Sequence, residues 1–195
     1  MNHLRKIALF GGTFDPVHLG HVHLACLAVE LLDLDEVRFI PCRISPHKLD
    51  RAPTPADDRL EMLRLATAEL PWAVVDDLEL RRDGMSFSWQ TAEIMAEQFP
   101  GSRLFWIMGE DQWETLPRWA KPERLSQLVE FIVFARSGKA PAPRDGFRAH
   151  FLTGEHPASA SAIRVSLHEG KAPSVWLHPD VARWISGHGL YPRAS

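Results

Sequence analysis

Cysteine is scarce in this chain: Cys26 and Cys42 are the only two in 195 residues. Neither falls in a metal-binding or redox spacing, which excludes a disulfide scaffold and a Cys-x-x-Cys site. Two small buried hydrophobes in a reduced cytosolic protein are the expectation. Surplus basic charge is also lacking. Lys and Arg number 22 against 25 Asp and Glu, a formal net charge of −3 with histidines neutral, so no global positive field argues for nucleic acid. No apolar run approaches the roughly 20 residues of a membrane span. Ile7–Phe10 is too short for a signal-peptide core and runs into glycines rather than a cleavage site. Cytoplasmic location, with neither membrane nor nucleic acid as partner, is therefore expected. Repeats and low-complexity tracts are absent too. Hydrophobic residues at 45% and charged residues at 24% are ordinary for a globular domain, and the length suits one domain, 1–195, with a real core.

Short apolar runs alternate with helical periodicity. Lys6–Phe10 reads as a buried strand, and apolar positions from His18 to Leu32 recur at helical spacing. Val37–Ile40 is a second strand. Thr54-Pro55 offers an N-cap followed by proline at the first helical position, with Leu60, Leu63 and Leu70 marking the helix face. Ala73–Val75 is a short strand, Trp89–Phe99 a helix stopped by Pro100-Gly101, and Arg103–Met108 a continuous apolar strand suited to burial on both faces. Val129–Phe134 follows another short helix. Ser137–Gly146 is a surface loop. A C-terminal helical portion, 159–191, holds two short helices, the first with Gly170 as its C-cap. This alternation predicts an α/β fold, a doubly wound parallel sheet with helices on both faces.

In such a sheet ligands bind beyond the carboxyl ends of the strands, where Gly11, Gly12 and Thr13 fall. Glycine lets main-chain N–H groups come close to a phosphate. His18 and His21, three apart, share one face of the first helical turn at the positive end of its dipole. Gly20 between them is a poor helix former, by about 1 kcal/mol relative to alanine, so something packs on the backbone there. Zinc on His18, His21 and His23 lacks a completing carboxylate and the spacing of a zinc helix. A dinucleotide fingerprint is excluded because G-x-G-x-x-G does not occur.

GGTFDPVHLGH resembles the GGxFDPxHxGH signature of the HxGH nucleotidyltransferase superfamily. Ser159–Arg164 (SASAIR) stands where that superfamily has its second signature, a short Ser/Thr-rich stretch ending in arginine. The likeness to one of its families, the bacterial nicotinate-nucleotide adenylyltransferases, covers nearly the whole chain. It runs through IPCRISPHK (40–48), ELRRDGMSFSWQT (79–91), MGEDQWETLPRW (108–119), FIVFARSG (131–138) and GLYP (189–192). Phe87 stands where the family usually has tyrosine, and Ser45 replaces the first proline of its IPxxxPPHK loop.

The resemblance implies a Rossmann-like nucleotidyltransferase fold and transfer of the adenylyl group of ATP to nicotinate mononucleotide, releasing pyrophosphate, in NAD biosynthesis. It implies His18, His21, Ser161 and Arg164 as the catalytic set, with Gly11, Gly12, Thr13, Phe14, Gly109, Asp111 and Arg136 also at ATP, and Asp111 on a ribose. Lys48, Ser86, Phe87, Ser88, Trp119 and Asp111 would hold the acceptor. In that reading Trp119 stacks on the pyridine, and the Ser86–Trp89 loop offers N–H groups to the nicotinate carboxylate. Ser161 would cap the helix carrying Arg164, whose guanidinium holds two phosphate oxygens at once. Mg²⁺ would be bound mainly through the ATP phosphates; no other metal is expected. The acceptor could instead be nicotinamide mononucleotide or phosphopantetheine, or the pocket could bind nucleotide without turnover. A homo-oligomer is left open.

Overall fold

A computed structural model describes residues 3–45, 52–135, 141–154, 156–171 and 175–192. In chain order the elements are β1 (Lys6–Gly12), α1 (Leu19–Leu32), β2 (Glu36–Pro41), α2 (Ala56–Thr67), β3 (Ala73–Val75), α3 (Leu78–Arg81), α4 (Ser88–Gln98), β4 (Arg103–Gly109) and α5 (Glu110–Thr115). A single 3-10 turn (Leu116–Arg118), α6 (Pro122–Leu128), β5 (Glu130–Ala135), β6 (Ala149–Thr153), α7 (Ala160–His168) and α8 (Pro179–Gly187) complete the chain. The six strands make one sheet in the order β3-β2-β1-β4-β5-β6, every pairing parallel. The chain winds outward from β1 through β2 to β3, then returns to β1's other side with β4. That reversal is the switch point of a doubly wound sheet.

Side chains of β1 alternate between two cores, as strand geometry requires. Ala8 and Phe10 pack with α1, α2, α7 and α8, through Ala25, Ala28, Met62, Leu63, Ile163, Val181 and Ile185. Ile7 and Leu9 pack on the other face with Met95 of α4, Trp113 of α5 and Leu125 of α6. Both C-terminal helices thus belong to the main core. Among the described residues no helix is long and apolar enough to cross a membrane.

Several boundaries differ from the sequence reading for identifiable reasons. β1 runs on through Gly11 and Gly12, which pair with Ile40 and Pro41 of β2, so the glycines finish a strand rather than form a loop. Pro55, not Thr54, occupies the N-cap of α2; Leu70 lies beyond that helix, which ends at Thr67. β6 is an addition. Its residues are half-buried or exposed, and it lacks the continuous apolar run that marked β4 and β5. Cys26 is half-buried rather than buried, whereas Cys42 is buried; neither is in a disulfide. Gly170 ends α7 in the left-handed region at φ +73°, as a residue just past a helix C-cap does.

Ion pairs gather at the amino ends of the strands. Glu36 at the start of β2 meets Arg5 and Arg38 at 2.5 Å each. Glu130 at the start of β5 accepts both Arg103 Nε and Nη2 at 2.7 Å and lies 2.8 Å from His150 Nε2. The Arg103 bonds pull the Glu130 carboxyl down from 4.5 to about 2, against the opposing effect of burial. A depressed acid stabilises the fold above its unfolded value and loses that contribution as pH falls through its folded one. Arg103 is partly solvated, which trims the gain. Glu130→Gln should therefore remove about 1–3 kcal/mol of stability at pH 7. In urea unfolding the deficit should shrink between pH 4.5 and pH 2.

Candidate active site

β1 and β4 pair in parallel from Lys6↔Arg103 to Leu9↔Trp106, so their carboxyl ends, Gly12 and Gly109, fall at the same edge of the sheet, at the switch point. Gly109 is the N-cap of α5, and its N–H donates to Gln112 Oε1 at 3.2 Å. Asp111 is exposed in the first turn of α5 and does not cap it.

His18 is the N-cap of α1 and His21 its third residue. Their rings stack with centroids 3.7 Å apart and planes 27° from parallel. The His18 main-chain N–H donates to His21 Nδ1 at 3.2 Å, so the neutral His21 ring carries its proton on Nε2. Phe14 meets the His21 ring edge-on, with centroids 5.0 Å apart. Gly20 is explained by packing: a Cβ there would come within 2.9 Å of His18 Nδ1 and 3.2 Å of His156 Nδ1. Glycine in this helix gives up propensity so that the His18 ring can lie against the main chain. The glycines of β1 serve the same end. A Cβ on Gly11 would meet the Trp106 ring at 2.9 Å, and one on Gly12 the Phe14 ring at 3.0 Å.

Side chains from distant parts of the chain hold the loop between β1 and α1. Arg59 of α2, 1% exposed, donates from Nη1 to the carbonyls of Thr13 and Cys42 at 2.9 Å, and from Nε to that of Thr54 at 2.9 Å. Burial lowers the pKa of its guanidinium from the ordinary arginine value, while Cys42 and Asp15 act to raise it. Tyr191 donates its hydroxyl to Asp15 Oδ1 at 2.6 Å; burial and this bond push the phenol's pKa well up. Arg164 Nη1 donates to the Asp15 carbonyl at 2.6 Å. The loop turns through Phe14 at φ +49°, a left-handed conformation worth on the order of 1 kcal/mol of strain for a non-glycine residue. Arg164, 149 residues beyond Asp15 in sequence, is thereby brought to within three residues of His18 along the loop.

Ser159, rather than Ser161, caps α7, its hydroxyl accepting from Ala162 N–H at 3.2 Å. Ser161 sits in the first turn and accepts from Arg164 Nη2 at 3.3 Å. Ser161 therefore orients the guanidinium instead of closing the helix. Arg164 follows that first turn.

On the acceptor side, the stretch read as a Ser86–Trp89 loop is the start of α4, with Phe87 as N-cap and Ser88 the first helical residue. The Ser86 N–H already donates to the Ile44 carbonyl at 3.0 Å, and Ser86 Oγ accepts from the Arg43 N–H at 3.0 Å. Ser86 thus positions the segment; among the described residues the unspent donors of this helix start belong to Ser88 and Trp89. Beneath them Thr91 donates to the buried carboxyl of Glu79 at 2.6 Å, whose pKa is raised by burial. Trp119 ends the 3-10 turn, half-buried against the second core, whereas Trp106 lies inside it. Trp89 faces Lys121, whose Nζ is 3.8 Å from the ring centroid. Lys48 and Arg136 lie outside the described residues.

Arg59, Asp15 and Tyr191 are parts of the site that the sequence reading passed over. Arg59 did carry a signal. It shares the α2 stripe of Met62, Leu63 and Ala66, all buried, and a charge on an apolar stripe at i, i+3, i+4, i+7 calls for a buried partner. Nothing in local pattern marks Asp15 or Tyr191 as a pair.

Comparison with known proteins agrees with this geometry. The cytidylyltransferase-like family model matches residues 9–166. A probable nicotinate-nucleotide adenylyltransferase of Neisseria meningitidis serogroup B is 36% identical, covering 97% of this chain and 100% of its own. The nicotinate-nucleotide adenylyltransferase of Bacillus subtilis is 35% identical, covering 96% and 99%. A probable one from Thermus thermophilus is 38% identical, covering 95% and 99%. The solved structure of Plasmodium falciparum nicotinic acid mononucleotide adenylyltransferase complexed with NaAD shares the fold, with a TM-score of 0.81 at 19% identity over 97% of this chain and 98% of that one. With identities of 35–38% along almost their entire lengths, the chain belongs to the cytidylyltransferase-like family and, within it, to the nicotinate-nucleotide adenylyltransferases.

Proposed function

We propose that the protein transfers the adenylyl group of ATP to nicotinate mononucleotide, giving nicotinate adenine dinucleotide and pyrophosphate. The observation that carries this reading is the meeting of two chain ends: the His18–His21 stack and the Arg164 guanidinium on the carbonyl of Asp15. An oxygen of the acceptor's phosphate forms a bond to the α-phosphorus while the bond from that phosphorus to the bridging oxygen breaks, and pyrophosphate leaves with the electron pair. The nucleophile is already an anion, so positioning and charge stabilisation do the work.

Each side chain has a task in that scheme. His21 directs Nε2–H to an oxygen of the α-phosphoryl group, and His18, seated over Gly20, flanks the same group. Arg164 spends one N–H of each amino nitrogen on Asp15 and Ser161 and keeps a second on each for the departing pyrophosphate. Gly11, Gly12, Thr13 and Phe14 line the triphosphate path; Gly109 and Asp111 stand at the nucleotide's other edge. Ser88 and Trp89 offer main-chain N–H groups to the nicotinate carboxylate beside Phe87, and Trp119 presents a ring face to the pyridine.

Donors dominate the phosphate side, and Asp15 is already bound to Tyr191. This set suits Mg²⁺ arriving on the ATP oxygens rather than in a protein carboxylate cage. When bound, the ion neutralises phosphate charge. We place the reaction in the cytoplasm, where both cysteines stay reduced.

Pyrophosphate release is to be measured with Mg²⁺-ATP and, separately, nicotinate mononucleotide, its amide and phosphopantetheine. Preference for the acid is expected. Release with the amide or phosphopantetheine instead overturns the acceptor assignment, and release with none overturns the reaction. His21→Ala should lower kcat about 10²-fold or more with the circular-dichroism spectrum unchanged; near-normal turnover would remove the histidine pair from the mechanism. Gly20→Ala separates stability from activity. Helix propensity favours alanine by about 1 kcal/mol, yet the added Cβ displaces the His18 ring, so kcat should fall about 10–100-fold without a lower Tm.

A further inference from the structure

We propose that Arg59 is a positioning residue for adenylyl transfer: from beneath the first loop its guanidinium holds the Thr13 carbonyl inward and thereby turns the Phe14 N–H toward the phosphates of ATP. The proposal rests on the reaction assigned above and adds to it a residue that touches no substrate.

Arg59 is 1% exposed, and among the described residues its three bonds all go to main-chain carbonyls, those of Thr13, Cys42 and Thr54. A buried charge spent this way is a poor stabiliser compared with an apolar side chain of similar volume, so its retention calls for another reason. Peptide planarity supplies one. In a trans peptide the C=O of one residue and the N–H of the next point in opposite directions. With the Thr13 carbonyl drawn to Arg59 Nη1, the Phe14 N–H faces away from the core, on the side where β1 ends beside β4. Among the described residues no hydrogen bond uses that N–H, although Phe14 is only 2% exposed. A main-chain donor in so buried a residue without a protein acceptor is one held for a ligand. Phe14 takes φ +49°, a conformation its surroundings must enforce; the Arg59 bond fixes the peptide on one side of it, and Asp15, tied to Tyr191 and Arg164, fixes the other. The same guanidinium draws in the Cys42 carbonyl, which turns the next N–H, that of Arg43, to Ser86 Oγ. Ser86 has a second tether at Ile44, so the acceptor side depends on Arg59 less than the ATP side does.

The test uses the full-length protein, Arg59→Lys and Arg59→Met. Lysine keeps the charge but cannot span three carbonyls. Both folded variants should lose at least 30-fold in kcat/KM for ATP, while KM for nicotinate mononucleotide stays within threefold. The Phe14 amide resonance should shift when Mg²⁺-ATP is added to the wild type and stay put in Arg59→Lys. A purely structural role predicts a lower Tm with both kcat/KM values intact per folded molecule, and that result overturns the proposal. So does a Phe14 amide in the wild type that ATP leaves unmoved, an observation that stands even if Arg59→Met fails to fold. Wild-type protein that shifts its Phe14 amide with ATP yet releases no pyrophosphate with any acceptor overturns the reaction and leaves the role of Arg59 intact.

Discussion

Three residues, Thr13 to Asp15, hang from side chains that lie 46, 149 and 176 positions away: Arg59 on the Thr13 carbonyl, Arg164 on the Asp15 carbonyl and Tyr191 on the Asp15 carboxylate. Everything the site does depends on where this short loop sits. It sets the angle at which α1 leaves the sheet, and so where the His18–His21 stack points. It also fixes the Arg164 guanidinium, whose other anchor among the described residues is Ser161. None of the three contacts is local. The loop therefore acquires its shape only when α2, α7 and the C-terminal segment have docked on the sheet, and local opening of any of them would release it. The strained φ of Phe14 survives under that cooperative constraint.

The fold was legible because its physical signal is strong and local. Buried parallel strands read as apolar runs, and five of the six were found that way. β6 (AHFLT) was missed because His150 and Thr153 break its apolar run, whereas β3 (AVV), no more deeply covered, is apolar throughout. The histidines, the glycines and the arginine of the second signature were visible as motif residues. What was hidden was why Gly11 and Gly12 are there. The sequence reads them as room for phosphate, and Gly20 as a place where something packs on the backbone. At all three an aromatic or imidazole ring occupies the space a Cβ would need, as expected for Gly20 alone. A ring's approach from another strand or from a neighbouring turn leaves no mark on the local pattern.

Caps were misassigned for a related reason. SASA offers two serines in alternate positions, and the N-cap falls to Ser159, the one that lets Ile163 face the core. Tertiary burial, rather than cap propensity, settles that register. At Thr54-Pro55 the same competition removes threonine from the cap and gives its carbonyl to Arg59. Ser86 illustrates the limit most sharply: its residue type was right for a donor, but its N–H is consumed by Ile44.

The two ends of the sheet divide charge differently, and this reconciles an acidic protein with a polyanionic substrate. At the amino ends, Arg5, Arg38 and Arg103 face Glu36 and Glu130 at 2.5 to 2.7 Å, so their charges are neutralised where they stand. At the carboxyl ends, Arg59 and Arg164 bond to carbonyl oxygens and a hydroxyl, acceptors that orient a guanidinium without cancelling it. Asp15 beside them has one oxygen occupied by the neutral Tyr191 hydroxyl, and the carboxylates of Glu110 and Asp111 stand in the first turn of α5 at the same edge. The chain's overall −3 is therefore offset here by the direction of the donors rather than by a surplus of positive charge. Because β1 and β2 are buried on both faces, the low-dielectric sheet beneath this end strengthens the donors' field where the triphosphate arrives. Net charge governs neither affinity nor chemistry here; the choice of acceptor for each arginine does.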